Sequence, residues 1–436
     1  MVEDVIVLHP NSKSISPQNN LSRAYDHSVE AQMGELLNLT KAISLNVKHS
    51  EIITLKNILA STLFGSGVIQ RIHSIIHETT SSLVVVNCNL TPIQQRNLEV
   101  AWECKVIDRT GLILEIFGAR AKTHEGRLQV ELASLSFQRS RLVRSWTHLE
   151  RQRGGAGFLG GPGERQIELD RRQIDSKIKY IKIELERVIK TRLLHRSSRS
   201  KKPVPIVAFV GYTNAGKSTL FNRLTGANVL ADDMLFATLD PTMRKIELPS
   251  GRQVVLSDTV GFVSNLPTHL VAAFRATLEE VIEADIIVHI RDVSHLDTEL
   301  QKYDVEQVLN YLGVYDAIEN SNIIEVLNKT DKLEPQEYQR YSNNISENEV
   351  LLSAVNGKGC ATFYDKIDRL LGNAETVYKF QIKSNNGAAI AWLHENGIVK
   401  EKSYNKSYCF IEALLSLKNV KRFGKKFGDL QTVAGK

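Results

Sequence analysis

A glycine- and lysine-containing motif in the middle of the chain has the residue types and spacing that hold phosphate groups. The segment from Gly211 to Ser218 fits G-x-x-x-x-G-K-[ST] and lies between an apolar run, PIVAFV, and a predicted helix, STLFNRLTG. Glycine lets the backbone wrap around phosphate oxygens, and the start of the helix offers free N–H groups. We expect Lys217 to bridge the β- and γ-phosphates and Ser218 to ligate Mg²⁺. The expected phosphate-binding residues are Gly211, Tyr212, Thr213, Asn214, Ala215, Gly216, Lys217, Ser218 and Thr219.

A second motif predicts which base is bound. Asn328, Lys329 and Asp331 lie in the sequence NKTD, directly after the apolar run IIEVL. The Asp331 carboxylate can accept hydrogen bonds from guanine N1–H and the exocyclic amine, whereas adenine presents a ring lone pair there and is rejected. Asn328 and Lys329 are expected to support the loop and cover the ring. Ser353 and Ala354, after the last predicted strand, are expected to contact the guanine O6.

A third motif lies between these two and is expected to respond to the γ-phosphate. Asp258 begins the sequence DTVG after a predicted strand, so it is expected to hold Mg²⁺ through water. Gly261 is expected to give the γ-phosphate a backbone N–H. The run LFATLDPT supplies a threonine for Mg²⁺, and Thr238 is favoured over Thr242. Five elements in this order predict a nucleotide site for GTP or GDP with Mg²⁺.

Two positions bear on catalysis, in addition to Lys217 and Gly261. Residue 262 is Phe, where many switch GTPases place a water-orienting Gln, so intrinsic hydrolysis is expected to be slow unless another side chain replaces it. Asn214 matches a pattern found in GTPases that use K⁺ as a cationic group. Asparagine is equally common there as a turn residue, so K⁺ use remains a hypothesis.

The elements around these motifs predict an α/β fold. Strand and helix signals alternate over residues 203–372, which favours a mostly parallel sheet with helices on both faces. A small α/β domain is predicted for 1–137 and a small α+β unit for 376–436. Residues 138–202 are predicted to form a basic helical hairpin whose loop, 153–163, is too rich in glycine for regular structure.

The basic residues are concentrated in that hairpin. Residues 139–202 contain 18 Lys and Arg against seven Asp and Glu, a net charge of +11 in a chain whose total is +6. Such concentration favours a polyanionic partner, because neutralising phosphates releases counterions. A solvated helical face is an equally simple interpretation of the charge alone.

The remaining composition excludes several classes of protein. The four cysteines show no CxxC pair, which favours reduced thiols over disulfides or a zinc site. The start, MVEDVIVLHP, lacks a signal-peptide pattern and no apolar run reaches the roughly 18 residues of a membrane span, so we expect a cytoplasmic monomer. The histidines lack ligand spacing beyond one i,i+4 pair, His73 and His77, which more often marks a helix surface than a site.

The motifs together resemble the HflX family of ribosome-binding GTPases. The resemblance covers about residues 80–372 and is carried by DRTGLILEIFGARAKTHEGRLQVELA, GPGERQIELDRR, GYTNAGKSTLFNRLTG, LFATLDPT and DTVGF. It implies a GTPase that binds the large ribosomal subunit and separates stalled or idle ribosomes, with the N-terminal domain and glycine loop reaching the peptidyl-transferase region. Arg165 stands where the family usually has Thr.

Two alternatives remain open from the sequence. A GTP-dependent regulatory switch could act on a protein partner, with hydrolysis only ending the signal. A second purine-nucleotide activity or RNA unwinding in the N-terminal domain is suggested by some family members, but no second GKS motif is present there.

Overall fold

The described part of the chain folds around three β-sheets, and the first is a four-stranded parallel sheet near the N-terminus. The structure is a computed structural model that describes residues 3–12, 27–152, 162–199, 204–227, 235–236, 242–264, 275–314, 322–373, 375–405, 407–427 and 432–434. The first sheet has the order β2-β1-β3-β4. Its strands are β1 (Asp4–Ser12), β2 (Asn46–Leu55), β3 (Leu83–Val86) and β4 (Lys105–Asp108).

Helices cover both faces of this sheet, as the fully apolar strand LVVV requires. They are α1 (Val29–Ala42), α2 (Ser66–Thr79), α3 (Pro92–Trp102) and α4 (Arg109–Arg120). Alternate strand residues divide between two cores: Val5 and Val85 pack with α1 and α4, and Ile6 and Val84 pack with α2 and α3. The two helix pairs therefore lie on opposite faces.

Two long helices follow. Helix α5 (His124–Gln152) has 29 residues and α6 (Pro162–Arg199) has 38. They pack through an apolar seam that includes Leu128 and Leu135 of α5 and Ile178, Ile181 and Leu185 of α6. Val130 and Ala133 of α5 also lie in the core beneath α1 and α4, so α5 packs against both α6 and the N-terminal domain.

The central sheet has six strands in the order β10-β9-β8-β5-β7-β6. Only β6 is antiparallel to its neighbour. The strands are β5 (Ile206–Gly211), β6 (Thr242–Glu247), β7 (Gln253–Asp258), β8 (Ile286–Asp292), β9 (Ile323–Asn328) and β10 (Glu349–Leu351). The helices are α7 (Lys217–Thr225), α8 (Arg275–Ile282), α9 (Thr298–Tyr311), α10 (Pro335–Asn343) and α11 (Cys360–Asn373). The predicted fold class, a mostly parallel α/β sheet between two smaller units, is confirmed.

The last sheet is antiparallel, in the order β12-β13-β11-β14. Its strands are β11 (Glu375–Lys383), β12 (Ile398–Tyr404), β13 (Tyr408–Ser416) and β14 (Thr432–Ala434), with helices α12 (Gly387–Asn396) and α13 (Leu417–Phe427). Phe423 and Leu393 from the two helices pack on Phe380 and Ile411 of the sheet. This unit has its own core.

The first and central sheets share one apolar core. Helices α1 and α4 pack against residues near the central site, and the rings of Phe117 and Phe236 lie 4.6 Å apart. The N-terminal domain is thus joined to the central domain by buried apolar surface. Within the part of the chain that the structure describes, no helix is long and apolar enough to cross a membrane.

Candidate nucleotide-binding site

The phosphate-binding loop predicted from the sequence joins β5 to α7, and we call residues 211–218 the P-loop. Gly216 caps α7 with a φ of 94°, and a Cβ there would collide with the side chain of Asn328. Asn214 also has a positive φ, 59°, and its side chain is exposed. Glycine at 216 is therefore required both by backbone conformation and by space.

Lys217 lies at the centre of the P-loop. Its Nζ donates hydrogen bonds to the carbonyl oxygens of Gly211, at 3.1 Å, and Tyr212, at 2.7 Å. Burial lowers the pKa of Lys217 to about 8, against the nearby Asp258 carboxylate, which raises it. An anion arriving at this amine would stabilise its charged form.

The predicted base-binding motif lies at the carboxyl end of β9. The Asn328 side chain donates to the carbonyl of Ala215, at 2.8 Å, and accepts from the backbone N–H of Ala354, at 3.0 Å. One side chain therefore ties the P-loop to the loop after β10. Lys329 adopts a left-handed conformation, with φ 62°, and its Nζ lies 2.8 Å from a carboxylate oxygen of Asp292.

Asp331 lies at the rim of this site. Its side chain is exposed, because it sits in a single 3-10 turn after the strand. The buried Ser353 hydroxyl donates to its carboxylate and fixes the orientation of the carboxyl group. Exposure leaves the other oxygen open to an incoming base, which is consistent with the predicted role.

The predicted γ-phosphate loop runs back along the P-loop. Ser218 Oγ donates to Asp258 Oδ2 at 2.7 Å, so the two predicted magnesium residues meet. The backbone of Phe262 pairs with the P-loop through Phe262 N–H to Gly211 O, at 3.1 Å, and Thr213 N–H to Phe262 O, at 2.7 Å. A Cβ on Gly261 would lie 2.9 Å from Lys217 Nζ. This loop can approach the P-loop only because residue 261 is glycine.

The Phe262 side chain points away from solvent. It is buried in the apolar core shared with the N-terminal domain, together with Tyr212, Val260 and Phe236. Its hydrophobic character is thus explained by packing between domains, and it has no polar atom with which to orient water.

A buried polar cluster joins the N-terminal domain to both loops. Glu35 of α1 accepts hydrogen bonds from Tyr212 Oη, at 2.6 Å, and Ser264 Oγ, at 2.6 Å, and pairs with Arg109 Nη2 at 2.6 Å. Arg109 also donates to the Ser264 carbonyl at 3.0 Å, and Ser264 N–H donates to Tyr212 Oη at 2.6 Å. We call Glu35, Arg109, Tyr212 and Ser264 the interdomain cluster.

The electrostatics of the interdomain cluster favour an ionised carboxylate. Burial alone would raise the pKa of Glu35, but the Arg109 charge and the hydrogen bonds from Ser264, Tyr212 and Arg109 outweigh it and hold that pKa below its usual range. Glu35 is therefore an anion at neutral pH, and its charge is balanced by Arg109. Removing either partner would leave the other buried and uncompensated.

The neighbouring residue, Asp108, connects this cluster to the helical hairpin. Asp108 caps α4 through the N–H of Gly111, at 2.8 Å, and pairs with Arg141 Nη2 of α5 at 2.6 Å. Arg141 also donates to the carbonyl of Leu90 at 3.1 Å. Asp108 is next in sequence to Arg109, so the interdomain cluster and the ion pair to α5 are carried by adjacent residues.

A second polar bridge joins the two domains at the start of α1. His27 lies 2.9 Å from Asp304 and 3.3 Å from Asp297, both on or beside α9. Burial acts to lower the pKa of His27, but the hydrogen bonds and charges of Asp304 and Asp297 outweigh it and raise the pKa. A cleft of about 190 Å³ lies between this bridge and the P-loop residues Thr213 and Asn214. Its lining does not include Asp331 or Ser353, so the cleft adjoins the phosphate end of the site.

The structure brings together most of the predicted site residues, as the hydrogen bonds above describe. Thr238 is outside the described residues, and Thr242 lies at the start of β6. Sequence reasoning missed Glu35 and Ser264 and gave Arg109 no chemical role. The polar start of the run DRTGLILEIF gave no signal for Arg109, because Asp108 is an ordinary N-cap of α4.

Comparisons with known proteins match the chain along most of its length. Residues 30–118 match the family described as GTP-binding GTPase N-terminal, and 120–199 match its GTP-binding GTPase Middle Region. Residues 206–329 match the family described as 50S ribosome-binding GTPase. These three segments are nearly consecutive and include the first sheet except β1, the two long helices and most of the central sheet.

Relatives that carry the name GTPase HflX are similar over most of their own length. The protein of Magnetococcus marinus is 49% identical over 375 residues, which cover 85% of this chain and 84% of the relative. The protein of Escherichia coli K12 is 45% identical over 348 residues, with 77% and 80% covered. A GTP-binding protein of Sulfolobus solfataricus, solved with GDP, gives a TM-score of 0.45 at 21% identity, covering 85% of this chain and 98% of the solved one.

Proposed function

Because the chain belongs to the HflX family of GTPases, we propose that its GTPase cycle runs on the large ribosomal subunit and separates stalled or idle ribosomes. GTP binding and hydrolysis follow from the family itself. The observation that carries the ribosomal step is the helical hairpin, whose segment 139–202 has a net charge of +11. Its Arg141 pairs with Asp108, which is next in sequence to Arg109 of the interdomain cluster.

At the phosphate end, we assign the backbone amides of the P-loop and of Thr219 to the phosphates. Lys217 would leave its carbonyl partners and neutralise the β- and γ-phosphates. Gly261 N–H would meet the γ-phosphate, since residue 261 already lies beside Lys217 Nζ. At the other end, Asp331 would accept from guanine N1–H and the amine, with Asn328, Lys329, Ser353 and Ala354 shaping the pocket.

The donor set suits Mg²⁺. Ser218 offers a hydroxyl that is hydrogen-bonded to the Asp258 carboxylate, and hard cations of this size prefer oxygen ligands. Ser218 would bind the ion directly and Asp258 would bind it through water. We propose Thr238 as the third residue that holds the ion. The ion, when bound, neutralises charge on the phosphates. The chain's own contribution is to hold Ser218 in place through its hydrogen bond to Asp258.

The attack of water on the γ-phosphate needs an orienting group, and Phe262 does not supply one. We propose that hydrolysis by the free protein is slow and that the ribosome stimulates it. Asn214 is exposed on the cleft side of the P-loop, so its amide oxygen is available to a K⁺ ion beside the phosphates. Comparing turnover in K⁺ and Na⁺ buffers tests this part separately.

The ribosomal trigger is tested by GTP turnover of the full chain, alone and with purified large subunits, with Lys217→Ala as the inactive control. Stimulation that the control lacks supports the proposal. Turnover unchanged by ribosomes rejects it and favours the alternative of a switch that acts on a protein partner. Co-sedimentation with subunits before and after RNase treatment separates the two partners, since a protein target alone does not require ribosomal RNA.

A further inference from the structure

The outer face of the N-terminal domain contains three metal-ligating side chains that the GTPase chemistry does not use. His73 and His77 lie one turn apart on α2, and Glu103 follows the last residue of α3. The candidate ligand atoms of all three lie within 4.8 Å of one another. The sequence showed only the histidine pair, and the fold adds the carboxylate from a second helix.

The distances suit a small ion with short bonds. The Nε2 atoms of His73 and His77 are 3.2 Å apart. Two ligands of a tetrahedral ion bonded at about 2.0–2.1 Å lie about 3.3 Å apart, so little movement of the rings is needed. His77 and Glu103 are exposed and His73 is half-buried, so an ion can enter from solvent.

The backbone around the cluster also favours a cation. His77 lies in the last turn of α2, and Glu103 is the C-cap of α3, so the carboxyl ends of two helices meet at this point. Each helix end carries a partial negative charge from its unpaired carbonyl groups. Glu103 adopts a left-handed conformation, with φ 52°, which glycine or asparagine would adopt more readily. Glycine would suffice to cap α3 at position 103, so capping alone does not explain the glutamate side chain.

We propose that His73, His77 and Glu103 form a binding site for a divalent transition-metal ion such as Zn²⁺. Two imidazoles and one carboxylate suit zinc, whereas magnesium prefers oxygen ligands. Three protein ligands leave a fourth position for water or an outside group, as in an exchangeable site. The ion would fasten α2 to α3 on the face opposite α1 and the interdomain cluster.

The test is a calorimetric titration of ZnCl₂ into the full chain, with GDP and excess Mg²⁺ present to occupy the nucleotide site. We expect one zinc per chain, and an affinity that falls at least about tenfold in both His77→Ala and Glu103→Gln, since each loses a direct ligand. His394→Ala, which alters an exposed histidine of the C-terminal unit, is the matched control and should bind as the wild type does.

Three results would overturn the proposal. The wild type could bind no zinc, or it could bind equally in His77→Ala, which would place the ion elsewhere. Equal binding in Glu103→Gln would reduce the site to a histidine pair. The absorption spectrum of Co²⁺ in the same variants is a second measurement, because a tetrahedral site with two nitrogen ligands has visible bands that a hydrated ion lacks. Unchanged GTP turnover shows that each variant is folded.

Discussion

The two ends of the nucleotide site are built in different ways. At the base end, Asn328 contacts Ala215 and Ala354, and Ser353 contacts Asp331, so every partner described there belongs to the central domain. At the phosphate end, Tyr212 and Ser264 are held by Glu35 and Arg109 of the N-terminal domain. The first end is complete within one domain, and the second is completed by another.

This difference suggests that the two ends of the site have different roles in the GTPase cycle. Base recognition can remain constant through the cycle, since its hydrogen bonds join neighbouring loops of one sheet edge. In the proposed cycle the loop that carries Gly261 responds to the γ-phosphate, and Ser264, three residues later, is hydrogen-bonded to Glu35 of the N-terminal domain. If that loop moves with the phosphate, the interdomain cluster is the first contact between the domains that it would affect.

The largest expected effect is at the base end. Asp331→Asn removes a charged acceptor of two hydrogen bonds, each worth about 1.5–3 kcal/mol, so GTP affinity should fall about 10²- to 10⁴-fold. Xanthosine triphosphate, which presents a carbonyl in place of the amine, should bind this variant better than GTP does. Calorimetric titrations with GTP and with xanthosine triphosphate measure this change in nucleotide preference. If the base end of the site were coupled to the N-terminal domain, Asp331→Asn would also change the stability of the interdomain cluster.

A smaller effect is expected at the phosphate end, and it should appear as stability. Glu35→Ala leaves the Arg109 guanidinium buried without its counter-charge, which should lower the free energy of unfolding by about 3–5 kcal/mol. Urea denaturation followed by circular dichroism measures it. Glu115→Ala on the exposed side of α4 is the matched control and should change little. A Glu35→Ala protein as stable as the wild type would show that the cluster does not hold the domains together.

The smallest expected effect is a pH dependence of ligand affinity, which only ligands that carry phosphates should show. Burial lowers the pKa of Lys217 to about 8, and bound phosphates raise it again because they stabilise the charged amine. Affinity for GDP should therefore be full below pH 8 and fall above it, by at most about tenfold per pH unit. Guanosine, which lacks phosphates, should show no such loss. Titrations of both ligands between about pH 7 and 9 make the comparison; an equal loss for both would place the titrating group at the base.

The sequence predicted where the P-loop and the NKTD motif lie in the fold, because both are short motifs at the ends of strands. Lys217, Asp258 and Asn328 could each be assigned from their neighbours along the chain. Glu35 could not, because it is 229 residues from Ser264 and nothing in the amphipathic pattern of α1 distinguishes it from a solvated glutamate. Long-range polar contacts leave no local pattern.

The first sheet shows the same limit in its strands. The apolar runs at Val5–Leu8 and Leu83–Val86 can be recognised as strands in the sequence, whereas β2 cannot. It is an edge strand with only two fully buried residues, and its sequence NVKHSEIITL mixes charged and apolar residues. Strands at a sheet edge need little apolar surface, so their periodicity is weak.

The pairing of Asp108 with Arg141 also has a mechanical consequence. Arg141 lies eleven residues before the end of α5 at Gln152, which is about 16 Å of helix at 1.5 Å per residue. If the pair acts as a fulcrum, a tilt of about 10° at Arg141 displaces the far end of α5 by about 3 Å. A small rearrangement near the nucleotide would thus be amplified along the helix. Where α5 meets the glycine loop, the shift would be comparable to the diameter of a water molecule.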